Sequence, residues 1–214
     1  MGHNFQDRSL EKAYISNIKN LKIGPRVTQL SFEYSMPPQV SKGEVLVWDS
    51  LTIDLQTEPL YRKTLDAYEG SADVVTDATN FKQNAYVVAI SASEDIHTIA
   101  ATNTILNGQI VFTGSSALFV ISQESTYITV SFVNPPNITA QKQDNWVAIY
   151  EGTEIGRGEV KAYASTLLDD TSGLITVEFP KGTLINGNTY NVCLSVGNDI
   201  GIITAAYVFQ YTLV

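Results

Sequence analysis

An internal repeat is the feature that most restricts what this sequence can fold into. The segment that begins at Tyr86 (YVVAISASEDIHTIAATNTI) aligns without a gap with the segment that begins at Tyr190 (YNVCLSVGNDIGIITAAYVF), at an offset of 104 residues. Further upstream, the Leu30-Ser-Phe and Val130-Ser-Phe segments are each followed by a Pro-Pro pair. A period of about 100 residues predicts two copies of one module, each the size of a small domain.

Within each copy, apolar and polar residues alternate, for example through residues 29–34 and again through residues 128–132. Alternation with a period of two predicts short strands that have one buried and one solvated face. We therefore predict an all-β fold of two tandem immunoglobulin- or fibronectin III-like β-sandwiches, spanning residues 27–114 and 115–214. The predicted core residues are Leu30, Phe32, Val88 and Ile90 in the first copy, and Val130, Phe132, Val192 and Leu194 in the second.

The N-terminal segment, residues 1–26, departs from this strand rhythm. Its apolar residues recur at intervals of four, four and three, which is the spacing of one helical face and predicts a short amphipathic helix that ends at Gly24-Pro25. Five basic side chains against two acidic ones make this arm positive, on a chain of net charge −9. We predict that the arm is an assembly device, which docks either on its own body or on another molecule. The predicted assembly residues are Leu10, Tyr14, Ile18 and Leu21 on the apolar face, with Lys12, Lys19 and Lys22 beside them.

The second copy carries a family resemblance. Asp144-NWVAIYEG follows an ITVSF strand and precedes Leu184-INGNTYNVCLSVGNDIG. This order resembles SKICH-type domains and the N-terminal sandwich of purple acid phosphatases, where an aspartate, a tryptophan and a short apolar run begin a central strand. The resemblance covers roughly residues 127–210, and it implies an immunoglobulin-like accessory or interaction module without chemistry of its own.

Composition and charge exclude several classes of function. A net charge of −9 argues against nucleic-acid binding, which needs clustered basic side chains. The longest nearly apolar stretch, residues 200–209, is too short to span a bilayer. The N-terminus does not read as a secretory signal, so we expect synthesis in the cytoplasm. The single cysteine, Cys193, cannot form an intrachain disulfide, and we expect it to be a small packing residue.

Catalytic and metal-binding motifs are missing from the sequence. His3, His97 and Cys193 are the only histidines and cysteine, and they show no metal-ligand spacing. No phosphate-binding glycine loop and no nucleophile elbow occurs. We therefore predict neither an enzyme nor a cofactor.

Two features remain as possible ligand sites. The acidic turns at Glu94-Asp95 and at Asn198-Asp199 occupy equivalent places in the two copies. Their oxygens could contribute to a calcium site, but the residue types are also those that make tight turns by binding their own backbone. Trp146 alternates with Val147, so its side chain faces away from the predicted core and could contact a sugar if it is exposed.

These observations favour a non-enzymatic structural or interaction protein that self-assembles or binds a protein partner. The alternative is a carbohydrate-binding protein of the lectin type. We expect a homo-oligomer or a protein complex in the first case, and a saturable glycan ligand in the second.

Overall fold

The structure is a computed structural model, and it describes residues 11–24, 29–38, 42–75, 84–166, 168–197 and 199–213. These residues form sixteen strands and no helix. In the first half of the chain the strands are β1 (Lys12–Ile15), β2 (Asn17–Ile23), β3 (Gln29–Ser35), β4 (Glu44–Trp48), β5 (Tyr61–Thr64), β6 (Glu69–Val75), β7 (Ala85–Ser91), β8 (Ile99–Leu106) and β9 (Gln109–Ser115). In the second half they are β10 (Ala117–Gln123), β11 (Tyr127–Val133), β12 (Trp146–Glu151), β13 (Val160–Ser165), β14 (Ser172–Glu178), β15 (Thr189–Ser195) and β16 (Ile203–Gln210).

Four antiparallel sheets arise from these strands, and they come in two matched pairs. The first pair has the orders β2-β3-β6 and β5-β4-β7-β8-β9, and the second has β10-β11-β14 and β13-β12-β15-β16-β1. Strands β7 and β8 coincide with β15 and β16 when the numbering is shifted by the 104-residue offset of the repeat. The chain is therefore all-β, with paired sheets of the kind that β-sandwich domains contain.

Each pair of sheets encloses one hydrophobic core. The first core lies between β2-β3-β6 and the sheet of β4, β7 and β8, whereas the second core lies between β10-β11-β14 and the sheet of β12, β15 and β16. All eight residues that the sequence predicts to be core are buried, and Phe132 has no exposed surface. Alternation in β3 and β11 follows the predicted pattern, with one buried and one more exposed face.

The central strands of the five-stranded sheets are buried on both faces, which the alternation argument does not predict. In β4, β7 and β15 nearly every residue is buried. A second apolar layer covers the outer face of each sheet. Ile138, from the segment between β11 and β12, lies in the layer over the first sheet, and Tyr14 of β1 packs against the layer over the second.

The predicted N-terminal helix is wrong, because residues 12–23 form two strands in different sheets. β1 pairs with β16, and after the single residue Ser16 the chain continues as β2, which pairs with β3. A register shift between Lys19 and Lys22, with Asn20 at a φ of 51°, places Ile18 and Leu21 against the same core. A β-bulge thus reproduces the three-residue spacing of a helix face.

The chain crosses between the two pairs of sheets at two equivalent points. β1 lies in the second five-stranded sheet and β2 in the first three-stranded sheet, while β9 lies in the first five-stranded sheet and β10 in the second three-stranded sheet. The connecting residues are Ser16 and Ser116, both fully buried, and the Ser16 amide donates to the Ser116 carbonyl at 3.3 Å. Both crossings meet at one place, so two chain segments connect the two pairs of sheets there.

Side chains add a further link between the halves. The Gln143 side-chain amide donates to the Ile99 carbonyl at 2.8 Å, and both residues are buried.

Within the described ranges, no helix is long and apolar enough to cross a membrane.

Candidate interaction surfaces

The structure does not gather the predicted apolar assembly residues on one face. Tyr14 packs on the outer layer of the second five-stranded sheet, Ile18 is buried in the first core, and Leu21 packs against that core. Leu10 lies outside the described residues. The described part of the arm therefore makes its contacts within its own chain.

The lysines of the arm are exposed on these two strands. Lys12 places its ammonium group 4.5 Å from the centre of the Tyr14 ring, an intramolecular cation–π contact. Lys19 lies opposite Glu33 in the neighbouring strand, and Lys22 lies opposite Ser31. None of these contacts involves the acidic turns.

The acidic turn at Glu94-Asp95 binds its own backbone. The Asp95 carboxylate accepts hydrogen bonds at 2.9 Å from the His97 amide and from His97 Nδ1. Partial burial raises the pKa of Asp95, but the hydrogen bonds from His97 outweigh it and leave the pKa below its ordinary value. The Glu94 carbonyl accepts from the Arg62 guanidinium at 2.7 Å, so it too has a partner in the chain.

The equivalent turn of the second copy has the same local structure. Asp199 Oδ1 accepts from the Gly201 amide at 2.8 Å, while Asn198 lies outside the described residues. Among the residues that the structure describes, no three His, Cys, Asp or Glu side chains come together as a metal site would require. The turn interpretation accounts for both aspartates without a bound ion.

Trp146 forms an aromatic pair with Tyr163 on the outer face of the second five-stranded sheet. The ring centroids are 5.8 Å apart, the planes are inclined by 56°, and Tyr163 is 60% exposed. Trp146 itself is half-buried, and its neighbour Val147 belongs to the second core, so the tryptophan does face away from that core. Trp48 differs, because it is buried and donates from Nε1 to the Thr57 carbonyl at 2.9 Å.

Charged groups lie two positions along the strand from Tyr163. Lys161 Nζ contacts the carboxylates of Glu151 and Glu159, each at 2.7 Å. The hydrogen bonds that Lys161 donates to these two carboxylates raise its pKa above the ordinary value. The pairing of β12 with β13 shifts register between Ile149 and Tyr150, next to Lys161, so the two-residue spacing does not place this charged group on the face of the aromatic pair.

Cys193 is unsuited to nucleophilic chemistry. The side chain has no exposed surface, and its sulfur contacts Asn191 Oδ1 at 3.3 Å. Burial raises the pKa of the Cys193 thiol to about 12. A reactive cysteine needs an accessible thiolate, so Cys193 is a packing residue.

The most unusual surface is the edge strand β9, which the sequence argument did not single out. Ile110 and Val111 are each about two-fifths exposed and Phe112 is 66% exposed, although all three are large apolar residues in sequence. Within the described chain, β9 pairs with β8 alone. The sequence does carry a sign of this surface, because the run of residues 98–123, which includes β9, contains no Asp, Glu, Lys, Arg or His.

The two ends of β9 differ in their surroundings. At the C-terminal end, a methyl group added to Gly114 would lie 2.1 Å from Pro136 Cδ, so the second half of the chain closely covers this point. The N-terminal end follows a two-residue turn at Asn107-Gly108, both with positive φ, as hairpin turns require. As far as the described residues go, the uncovered edge therefore runs from Gln109 to Thr113, and we call this segment the β9 edge.

Comparisons with known proteins add little to this description. No protein-family model matches the chain, and no curated protein matches it. Among solved structures, the chain is similar to the crystal structure of Salmonella alpha-2-macroglobulin reacted with methylamine, at 9% sequence identity and a TM-score of 0.31. That alignment covers 98% of this chain and 17% of the Salmonella protein, so the chain spans a small part of that protein's length.

Proposed function

We propose that this chain is a non-enzymatic structural or interaction protein that self-assembles or binds a protein partner through two tandem immunoglobulin-like sandwiches. The matched order of the two pairs of sheets supports the tandem arrangement. The resemblance of the second copy to SKICH and purple acid phosphatase modules supports an interaction role, since those modules have no chemistry of their own.

The observation that carries this proposal is the β9 edge. A strand at the edge of a sheet presents unpaired backbone donors and acceptors, and proteins usually protect such strands with charges, with proline or with β-bulges. The β9 edge has no charge and no proline, and it exposes Ile110, Val111 and Phe112; its one irregularity is the register shift at Val111. An exposed apolar edge strand is the usual template for strand addition between chains.

Most other edges of these sheets carry the protection that β9 lacks. β5 contains Arg62 and Lys63, and β13 contains Lys161. β10 is also uncharged, but its Phe119 ring lies 6.0 Å from the ring of Tyr207 in an edge-on contact within the chain. The β9 edge alone exposes three consecutive large apolar side chains among the described strands.

The test is the mass of the protein in solution as a function of concentration and salt. We expect light scattering after size exclusion to show a mass that rises from monomer to oligomer across the micromolar range. High salt should not dissociate the oligomer into monomers, because salt screens surface ion pairs but does not screen backbone pairing or apolar burial. A strict monomer at all concentrations and salts would remove the support for self-assembly.

Carbohydrate binding is the second candidate, and the aromatic pair favours it. An exposed ring such as that of Tyr163 can stack on the apolar face of a sugar. A glycan array should then show saturable binding that is lost in Trp146→Ala and in Tyr163→Ala. Tyr68→Ala is the matched control, because Tyr68 is exposed to 41% and lies in the first half of the chain. Binding that survives both pair variants would exclude this site.

A further inference from the structure

We infer that the β9 edge pairs antiparallel with the same edge of a second copy of this chain, about a two-fold axis. This inference rests on the proposed function, because it names the partner and the geometry of the self-assembly. In such a dimer the first five-stranded sheet of one copy joins the first five-stranded sheet of the other copy across the axis, and the two form one continuous sheet.

Charge is the reason to name a second copy as the partner. When a strand pairs with itself about a two-fold axis, residue i faces residue j of the other copy and j faces i, so a charged residue close to the axis lies near its own copy and is repelled by it. The β9 edge consists of Gln, Ile, Val, Phe and Thr, none of them ionisable. The segment is therefore compatible with itself, although the chain as a whole has a net charge of −9 and copies repel one another elsewhere.

The edges that carry charged residues fail this requirement. Self-pairing of β5 would bring Arg62 and Lys63 of two copies together, and self-pairing of β13 would do the same for Lys161. The acidic body also disfavours acidic peptides as partners. A neutral apolar strand is the partner chemistry that remains, and the chain itself supplies one.

The side chains of the β9 edge suit a strand interface. Valine, isoleucine and phenylalanine have high strand propensity and pack well against the same residue types across a strand pair. A register shift in the pairing of β9 with β8, between the partners Phe112 and Ile110, marks a β-bulge at Val111. Ile110 and Phe112 consequently oppose neighbouring β8 residues that point to opposite faces, so the edge is apolar on both sides of the sheet.

Cysteine cross-linking tests the geometry directly. Cys193 is buried and its pKa is raised, so an introduced cysteine is the only reactive thiol of the folded protein. We expect single variants at positions 110 to 113 to form disulfide-linked dimers under mild oxidation, with the fastest variant marking the axis. Leu174→Cys is the matched control, because Leu174 is 62% exposed on the edge strand β14 and should stay monomeric.

A charge variant tests the contribution of the edge to assembly. Val111→Lys should raise the dimer dissociation constant by at least about tenfold, since like charges then face each other across the axis. Leu174→Lys, which adds the same charge elsewhere, should change it less than about twofold. Circular dichroism melting of both variants checks that the fold is retained.

The outcomes separate this inference from the proposed function. An oligomer that dissociates in Val111→Lys, with cross-linking at the β9 edge, supports both. An oligomer that is unaffected by Val111→Lys and does not cross-link overturns the two-fold β9 pairing, yet leaves self-assembly in place. A wild-type protein that is monomeric throughout overturns both.

Discussion

Replacing Phe132 by alanine should destabilise the whole chain, including the half that does not contain it. Phe132 lies in the second core with no exposed surface. The two halves are joined by the crossings at Ser16 and Ser116 and by the buried bond from Gln143 to Ile99. Each crossing connects a strand of one pair of sheets to a strand of the other pair. Loss of one core should therefore destabilise strands that help to enclose the other core.

The size of the effect follows from the burial of the ring. Truncating a fully buried phenylalanine to alanine typically costs about 3 to 5 kcal/mol of the free energy of unfolding. For proteins of about 150 to 250 residues, each kcal/mol lowers the melting temperature by about 2 to 4 °C. We therefore expect the melting temperature to fall by roughly 6 to 20 °C.

Tryptophan fluorescence can report on the first half separately. The chain has two tryptophans, so Trp146→Phe leaves Trp48 as the only indole, and Trp48 is 3% exposed on the first five-stranded sheet. In this background, Phe132→Ala should lower the midpoint seen by Trp48 as much as the midpoint seen by circular dichroism. Ile121→Ala, at a site that is 58% exposed, serves as the control and should shift neither midpoint strongly.

A separate transition would refute the reasoning. If the Trp48 midpoint stays in place while circular dichroism shows an earlier unfolding step, then the two halves unfold independently. The crossings at Ser16 and Ser116 would in that case be ordinary linkers.

Three further outcomes follow from individual contacts. Ile18→Asp buries an unpaired charge in the first core and should cost more than about 4 kcal/mol, whereas the exposed Lys19→Ala should stay within about 0.5 kcal/mol in urea unfolding. Cys193 should resist a thiol reagent in the native protein and react in denaturant; since burial raises its pKa from 9.0 to about 12, stability should be unaffected by this thiol below pH 9 and should fall as the pH rises from there towards 12. Millimolar calcium should leave the melting temperature unchanged, because Asp95 and Asp199 already accept hydrogen bonds from their own turns, and a clear rise would revive the calcium hypothesis.

The repeat and the core were predictable from the sequence because both depend on local patterns. Alternation predicts that Phe32 and Phe132 are buried, however the neighbouring strands pair, and the structure confirms their burial. The arm was not predictable in the same way. The spacing from Tyr14 to Ile18 and Leu21 fits a helix, but it arises from a change of sheet at Ser16 and from the β-bulge that follows.

The interaction surfaces show the same division. Residue type and alternation correctly placed Trp146 on the face away from the core, but its partner Tyr163 depends on the pairing of β12 with β13. The outer layers over the five-stranded sheets involve Ile138 and Tyr14, which are distant in sequence from the strands they cover. No periodicity within a strand can reveal a cover that comes from another part of the chain.

The repeat also offers a way to separate fold from function within one chain. Features that occur in both copies, such as the turns at Asp95 and Asp199 and the paired cores, are explained by the module itself. Function should therefore be sought where the copies differ. β1 and β9 occupy equivalent edges of the two five-stranded sheets, yet β1 has four residues and carries Lys12, while β9 has seven and carries no charge. The same sheet position is protected in one copy and open in the other, and since the module does not require the open edge, the β9 edge is the surface that an interaction best explains.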